Sequence, residues 1–186
     1  MVFIGVITDN EDYEYIKKEL LKDNQNLSIE LININENNVQ NMKNIKFETI
    51  VIGDEIIKIK KQKICIDNII NNSKYLIINS DNNISNINIE DTTIQIITYG
   101  MNQKATVTAS SIKEDQILIC VQRNIKRING KIIEMQEFKR KAEKIRNNKV
   151  YNLLIVFILE QLYKWKIFTK MNKFNFLCRQ RQKKVI

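Results

Sequence analysis

The chain has 186 residues, a length that favours one domain with a sizeable core, and 44% of them are hydrophobic, which argues against disorder. It contains no His, no Pro, 4 Gly and 3 Cys. Without His, catalytic Ser-His-Asp and Cys-His pairs and His-based zinc sites are excluded, and four scattered glycines leave no Gly-rich phosphate loop. The few, widely spaced cysteines fit a reducing compartment rather than a disulfide framework.

The net charge of +9 is unevenly distributed along the chain. Residues 1–120 carry 12 Lys, no Arg and 17 acidic residues, which gives −5, whereas residues 121–186 carry 18 basic and 4 acidic residues, which gives +14. No basic leader precedes Asp9, and the apolar run at residues 153–159 is too short to span a bilayer. We therefore expect a cytoplasmic protein with a mildly acidic body and a basic C-terminal third.

The first hundred residues alternate short β-rich runs with helical stretches, a pattern typical of βαβ units. Strands are predicted at residues 2–8, 27–34, 47–52, 75–79 and 94–98. Helices are predicted at residues 13–21, 35–42 and 54–71, with Asp9 and its acidic neighbours at the start of the first. The predicted fold class is α/β, with a mostly parallel, doubly wound sheet.

After residue 100 the pattern changes to consecutive strands, predicted at residues 105–110, 116–122 and 131–138. Asn129-Gly130 is typical of a type I′ hairpin turn, so antiparallel strands should extend one edge of the sheet. Residues 139–149 are predicted to be a basic linker, and residues 150–168 a C-terminal helix. We assign residues 1–168 to a single domain and predict residues 169–186 to be a basic, poorly ordered tail.

Ligands of open α/β sheets bind outside the carboxyl ends of the strands. The candidate residues at those ends are Asp9, Asp12, Asp54, Ser80, Asp81 and Lys104. Acids after the first and third strands, a hydroxyl after the fourth and a Lys after the fifth resemble a receiver domain, in which Asp54 would accept a phosphoryl group. Alternatively, Asp9 and Asp54 are helix N-caps. Lys104 lies six residues beyond its strand and lacks the Pro usual beside the receiver Lys.

Two basic clusters in the C-terminal third are candidates for binding a polyanion, either nucleic acid or an anionic membrane surface. They are Lys139, Arg140 and Lys141 in the predicted linker, and Arg179 and Arg181 in the predicted tail. Aromatic residues interleave with basic ones near the C-terminus, as in stacking platforms, but a loose hydrophobic tail has the same composition. Both interpretations stay open.

Three motifs between about residues 75 and 160 resemble the central domain of Mur ligases, the ATP-dependent enzymes that add amino acids during bacterial peptidoglycan synthesis. Asn79-Ser80-Asp81-Asn82 resembles the Asn-Ala-Asp-Asp-like motif at a strand end. Thr98-Tyr99-Gly100, before residues 105–112, resembles an aromatic-Gly pair that leads into an Ala/Ser-rich strand. Residues 148–153 resemble the His-Asn-Val-Tyr-Asn-Ala helix start, which adds Asn152 to the candidate edge residues.

This sequence departs from the family pattern at the positions that carry the chemistry of the ligases. The first strand of the family enters a Gly-Thr-x-Gly-Lys-Thr/Ser loop that holds the ATP phosphates, whereas residues 5–12 here contain no Lys and several acids. The His-Asn pair is replaced by Asn148-Lys149, and the third domain of the family has no counterpart in this sequence.

The resemblance therefore implies a non-catalytic Mur-ligase-like domain with a binding or regulatory role in peptidoglycan metabolism. It implies no catalytic or metal-binding residues and no cofactor, and a partner that is a protein or a cell-wall precursor. Two alternatives stay open. One is a Mur-type ligase that binds ATP with Mg²⁺, or a UDP-linked precursor, through an altered loop, and the other is the receiver-like domain with Asp54 as phospho-acceptor.

Overall fold

The computed structural model describes residues 1–22, 29–53, 62–82, 87–141 and 149–163. The strands are β1 (Val2–Ile7), β2 (Ile29–Asn33), β3 (Thr49–Ile52), β4 (Tyr75–Asn79), β5 (Gln95–Tyr99), β6 (Val107–Lys113), β7 (Gln116–Val121), β8 (Ile125–Lys126), β9 (Ile132–Ile133) and β10 (Gln136–Lys141). The helices are α1 (Asn10–Lys22), α2 (Val39–Met42), α3 (Lys63–Asn71) and α4 (residues 150–163).

Eight strands form one sheet in the order β10-β7-β6-β5-β4-β3-β1-β2, and β8 and β9 form a separate hairpin. Every pairing from β2 to β6 is parallel, whereas β7 is antiparallel to both β6 and β10. These pairings and α4 confirm the predicted fold class. Because β1 lies between β2 and β3, the winding direction reverses there, and this is where open α/β sheets form a ligand crevice.

Residues in β1 alternate between two separate cores. Ile4 and Val6 are buried with residues of α1 and α4 on one face of the sheet, whereas Ile7 is buried with residues of α2 and α3 on the other. Successive side chains in a strand point to opposite faces, so a continuous apolar run is favoured where both faces are covered. This explains why the parallel strands are the clearest elements in the sequence.

Helix α4 is apolar on most of its circumference because it lies in the larger of the two cores, and almost all of its residues are buried. Phe157 packs against Phe138 of β10 with ring centroids 4.9 Å apart. At its C-terminal end, the hydroxyl of Tyr163 shares a buried 2.7 Å hydrogen bond with the hydroxyl of Thr49 at the start of β3. None of the helices in the described part of the chain combines the length and apolarity needed to cross a membrane.

The hairpin turn differs from the predicted type I′ turn. The amide of Gly130 donates to the carbonyl of Arg127 (2.9 Å), and the amide of Arg127 donates to the carbonyl of Lys131 (2.8 Å), so the loop contains three residues. Gly130 has a φ of +81°. This arrangement corresponds to a type I turn followed by a left-handed residue, a position that favours glycine.

The predicted strand at residues 131–138 is divided into β9 and β10, and the start of the predicted linker is wrong because residues 139–141 belong to β10. The antiparallel pairing with β7 satisfies the backbone hydrogen bonds of these residues. Their polar side chains did not indicate a strand. Helix α2 begins later than predicted, at Val39, and α3 covers the described second part of the predicted helix at 54–71. The first part of the predicted helix at 54–71, residues 164–168 of the predicted C-terminal helix and the predicted tail lie outside the described residues.

Candidate functional site

The first part of the candidate site is the turn from β1 into α1. The carboxylate of Asp9 accepts a hydrogen bond from the backbone amide of Asp12 at 2.7 Å, which confirms the N-cap interpretation of this residue. On the neighbouring strand, the amide of Gly53 donates to the carbonyl of Ile7 (2.9 Å), and a Cβ on Gly53 would lie 2.8 Å from the hydroxyl of Thr8. The ends of β1 and β3 are therefore hydrogen-bonded and tightly packed against each other.

Asp12 connects this turn to the start of α4. Its Oδ1 accepts hydrogen bonds from Lys149 Nζ at 2.7 Å and from Asn152 Nδ2 at 2.6 Å. Lys149 also pairs with Glu11 Oε1 at 2.7 Å, and its side chain is only 12% exposed. Burial lowers the pKa of Lys149, but its hydrogen bonds to Asp12 and Glu11 and the charges of both outweigh burial, so the pKa is raised overall. The cluster contains one cation and two carboxylates.

Asp81 organises the edge after β4. Its Oδ2 accepts hydrogen bonds from the Met101 amide (2.6 Å) and the Tyr151 hydroxyl (3.0 Å), and its Oδ1 accepts from the amide (3.2 Å) and the side-chain amide of Asn102. Burial raises the pKa of Asp81, but these hydrogen bonds together outweigh it and lower the pKa overall. The carboxylate therefore joins the loops after β4 and β5 to the first turn of α4.

The two loops pack closely at Gly100. A Cβ on this residue would lie 2.7 Å from Ser80 Oγ and 2.9 Å from the carboxylate of Asp81, so any side chain would displace both. Ser80 Oγ donates to the carbonyl of Tyr99 (3.2 Å) and accepts from Asn102 Nδ2 (2.9 Å). The edge is thus closed by side chains that bind one another.

The structure brings four of the predicted edge residues into two linked groups. Asp12 contacts Asn152 directly, and Ser80 and Asp81 are both bound by Asn102. Tyr151 and Asn152, adjacent in α4, connect the two groups. Of the other predicted edge residues, Asp9 acts as a helix cap, and Asp54 lies outside the described residues.

Lys104 is exposed, and it contacts these groups through its backbone rather than through its ammonium. Its amide donates to Asn102 Oδ1 (2.7 Å), and its carbonyl accepts from Arg123 Nη1 (2.6 Å). In the part of the chain that the structure describes, no carboxylate lies within ion-pair distance of its ammonium.

Three important residues were not among the predicted site residues: Asn102, Lys149 and Tyr151. Lys149 and Tyr151 precede Asn152 within the motif at residues 148–153, so their proximity to the edge was accessible from the sequence. Their partners, Asp12 and Asp81, were predicted as edge residues, but they are distant along the chain, and the sequence has no local signal of the pairing. Asn102 follows the end of β5, and its position after a strand was the available signal.

The basic residues of β10 are divided between the two faces of their strand. Arg140 is 18% exposed and forms ion pairs with Glu160 (2.6 Å) and Glu19 (3.9 Å), so its charge is already balanced. Lys139 and Lys141 are exposed. Arg179 and Arg181 lie outside the described residues, and polyanion binding by the two basic clusters stays a prediction.

Possible metal ligands and surface depressions of the described residues also bear on ligand binding. Within the described ranges, no group of three or more Cys, Asp or Glu is arranged to hold a metal ion. An open depression of about 240 Å³ lies instead on β6, β7 and β10, lined by Ser111, Lys113, Gln116, Ile117, Leu118 and Lys139. It shares no residue with the edge groups.

No protein-family model matches the chain, and no curated protein matches it. The class of protein is defined here by the fold and by the edge of the sheet at the carboxyl ends of its parallel strands. It is an α/β domain in which ion pairs and hydrogen bonds between α1, α4 and the loops after β4 and β5 close this carboxyl edge.

Proposed function

We propose that the protein is a non-catalytic α/β domain related to the central domain of Mur ligases, with a binding or regulatory role in peptidoglycan metabolism. The observation that carries this proposal is the pairing of Asp12 with Lys149 and Asn152. Asp12 follows β1, where the Mur ligase pattern has its phosphate loop, and α4 brings Lys149 and Asn152 to it.

A phosphate site needs cations and N–H donors that remain available to the ligand. Here the donors of Lys149 and Asn152 are already bound by the carboxylate of Asp12, and Glu11 adds a second negative charge. A triphosphate at this position would have to displace Asp12 and would be repelled by both carboxylates. The residues after β1 therefore do not fit ATP with Mg²⁺.

The relationship to Mur ligases is supported by the three motifs that carry the resemblance. Asp81 belongs to the first motif, Gly100 to the second and Tyr151 to the third, and they contribute to one connected edge. This arrangement supports a binding role, because the motifs form a single surface although they are far apart in the chain.

The first experiment measures the thermal stability of the full chain with ATP–Mg²⁺ and with a UDP-muramyl peptide precursor. We expect no change in Tm with ATP–Mg²⁺. A ligand at about 100 times its Kd adds about 2.7 kcal/mol and raises Tm by several degrees, so such a rise with ATP–Mg²⁺ would favour the nucleotide-dependent ligase instead. A rise with the precursor would identify the binding partner as a cell-wall intermediate.

The variant Asp12→Asn tests whether the carboxylate of Asp12 is what prevents a triphosphate from binding after β1. It should bind tripolyphosphate more tightly than the wild type, because Asp12 no longer presents a carboxylate to Lys149 and Asn152, and Glu11 is the one carboxylate left in the cluster. Asp115→Asn, which makes the same charge change at an exposed turn, is the matched control and should leave binding unchanged. Equal binding by all three proteins would contradict the role we give to Asp12.

A second candidate is a receiver-like phospho-acceptor domain at Asp54, which is favoured by the strand order β2-β1-β3-β4-β5. Against it, Asp9 caps α1 and Asp12 pairs with Lys149, so both aspartates after β1 are engaged. Beryllofluoride with Mg²⁺ mimics the phosphorylated state of such domains. If it changes neither Tm nor the NMR spectrum, this candidate is removed.

A further inference from the structure

The β8–β9 hairpin has one buried and one exposed face. Ile125 and Ile133 are cross-strand neighbours, 3% and 2% exposed, and belong to the same core as α4. The next cross-strand pair, Lys126 and Ile132, has the opposite orientation, and Ile132 is 60% exposed. The alternation of side chains in a two-stranded ribbon therefore places an aliphatic residue and a lysine together in solvent.

The exposed face continues on both sides of this pair. Lys131 is exposed beside the turn, and Met135, after β9, is 66% exposed. We refer to Lys126, Lys131, Ile132 and Met135 as the hairpin surface. Residues 123–135 contain four basic residues and one acidic residue, and no ion pair among the described residues includes a lysine of the hairpin surface.

The hairpin is fixed from its inner side. Arg127 Nη2 donates to the side chain of the buried Gln161 in α4 at 3.2 Å. Before β8, Arg123 Nη1 donates to the carbonyls of Lys104 and Ala105 at 2.6 and 2.9 Å. The exposed side chains therefore project from an anchored base, and both arginines of this segment are directed towards the protein rather than towards a partner.

Exposed aliphatic side chains next to uncompensated lysines match the interface of a membrane that contains anionic lipid. The aliphatic groups enter the boundary between headgroups and acyl chains, and the lysines approach the lipid phosphates. Nucleic acid is less well matched, because the hairpin surface has no aromatic side chain for stacking and the nearby arginines are already hydrogen-bonded to the protein.

We propose that the hairpin surface binds the protein to anionic phospholipid membranes, as a weak, reversible and salt-sensitive peripheral contact. The proposal is independent of the carboxyl edge and of the proposed relation to Mur ligases. It also concerns different residues from the basic clusters at 139–141 and in the predicted tail.

Vesicle co-sedimentation of the full chain tests the electrostatic part. The wild type should bind phosphatidylcholine vesicles that contain phosphatidylglycerol and not vesicles of phosphatidylcholine alone, and binding should fall with salt. Lys126→Gln/Lys131→Gln should lower the partition coefficient about 30-fold. Lys43→Gln/Lys46→Gln removes the same charge from exposed positions elsewhere and should leave the coefficient unchanged.

The apolar part is tested with Ile132→Asn/Met135→Asn, for which we expect a fall of about tenfold in vesicle binding. Ile64→Asn, at a position 77% exposed, is the matched control and should have no effect. Because all these side chains are exposed, we expect each variant to have the Tm of the wild type. An unchanged Tm would establish that the variant is folded.

Three results would overturn the proposal. The first is wild-type protein that does not distinguish anionic from neutral vesicles, or hairpin variants that bind as the wild type does. The second is a loss of binding to a duplex DNA oligonucleotide in the lysine variant without a loss of vesicle binding, which would make the surface a nucleic-acid site. The third is complete loss of vesicle binding in Arg179→Gln/Arg181→Gln, which would assign binding to the C-terminal residues.

Discussion

Asp12 and Asp81 are the two residues on which the carboxyl edge depends. Asp12 binds Asn152, 140 positions further along the chain, and Asp81 binds Tyr151, 70 positions further along. Hydrogen bonds to an ionised acceptor are stronger than those between neutral groups, so a single carboxylate can hold several donors from distant segments. At this scale the edge is organised by charge.

Replacement of Asp81 should show this contribution directly. In Asp81→Asn, one of the acceptor oxygens becomes an NH₂ group that faces the donors of Met101, Asn102 and Tyr151. We expect a loss of about 1 kcal/mol in the free energy of unfolding at pH 7, a small value because the carboxylate is partly exposed. Urea denaturation measures it, and Asp115→Asn is the control at an exposed turn.

The pH dependence of this difference follows from the lowered pKa of Asp81. A carboxylate with a folded-state pKa below its ordinary value of 3.8 stabilises the fold fully above that value and loses this effect as the pH falls through the folded-state pKa. The difference between the wild type and Asp81→Asn should therefore be constant from neutral pH to about pH 5 and shrink below about pH 4. A difference that grows on acidification would contradict the assignment.

At the scale of elements, α4 is fixed at both ends to parts of the chain that precede it. Lys149 and Asn152 join its start to α1 through Asp12, and Tyr163 joins its end to β3 through Thr49. Between these points its apolar surface fills the core with α1 and the antiparallel strands. The helix therefore closes the sheet face and also completes the carboxyl edge.

Lys149→Met tests the polar contact at the start of α4. The change keeps the apolar stem but leaves Asp12 and Glu11 close together without their cation, so we expect a loss of about 2 kcal/mol in the free energy of unfolding. Lys22→Met is the matched control: Lys22 is 52% exposed and 3.9 Å from Glu19, and its loss should cost less than about 0.5 kcal/mol.

The raised pKa of Lys149 gives this prediction a second measurement. A lysine with a folded-state pKa above 10.5 stabilises the fold fully below that pH and loses this effect as the pH rises through the folded-state pKa. The wild type and Lys149→Met should therefore converge in stability only at strongly alkaline pH. Convergence near neutral pH would show that the ion pair is not the cause.

The Tyr163–Thr49 contact provides a test at the other end of α4. Tyr163→Phe leaves the buried hydroxyl of Thr49 without this partner and should lower the free energy of unfolding by about 1.5 kcal/mol. The double variant Tyr163→Phe/Thr49→Val removes both hydroxyls and should be more stable than the single variant. A double variant whose loss equals the sum of the two single losses would argue against a direct hydrogen bond.

At the scale of the whole molecule, the acidic body and the basic C-terminal third are not separate parts. Arg140 of β10 pairs with Glu19 of α1 and with Glu160 of α4, and Lys149 pairs with Glu11 and Asp12. Part of the positive charge therefore balances acids of the first half. What is left exposed on the hairpin surface is the charge that we assign to membrane binding.

The parallel strands and the cap at Asp9 were determined by the sequence itself. An apolar run such as β1 is a local signal, because burial on both faces requires apolar residues at consecutive positions. A capping aspartate is also local, since it binds an amide only three positions away. Both were predicted correctly for this reason.

Only the tertiary structure decided the course of β10 and the closure of the edge. Phe138 is the one apolar residue of β10. The strand forms because its backbone pairs with β7 and because Arg140 forms ion pairs with glutamates of two helices. The partners of Asp12 become neighbours only when α4 packs against α1. Contacts between residues more than a hundred positions apart depend on the packing of whole elements, so the local pattern of side chains contains no record of them.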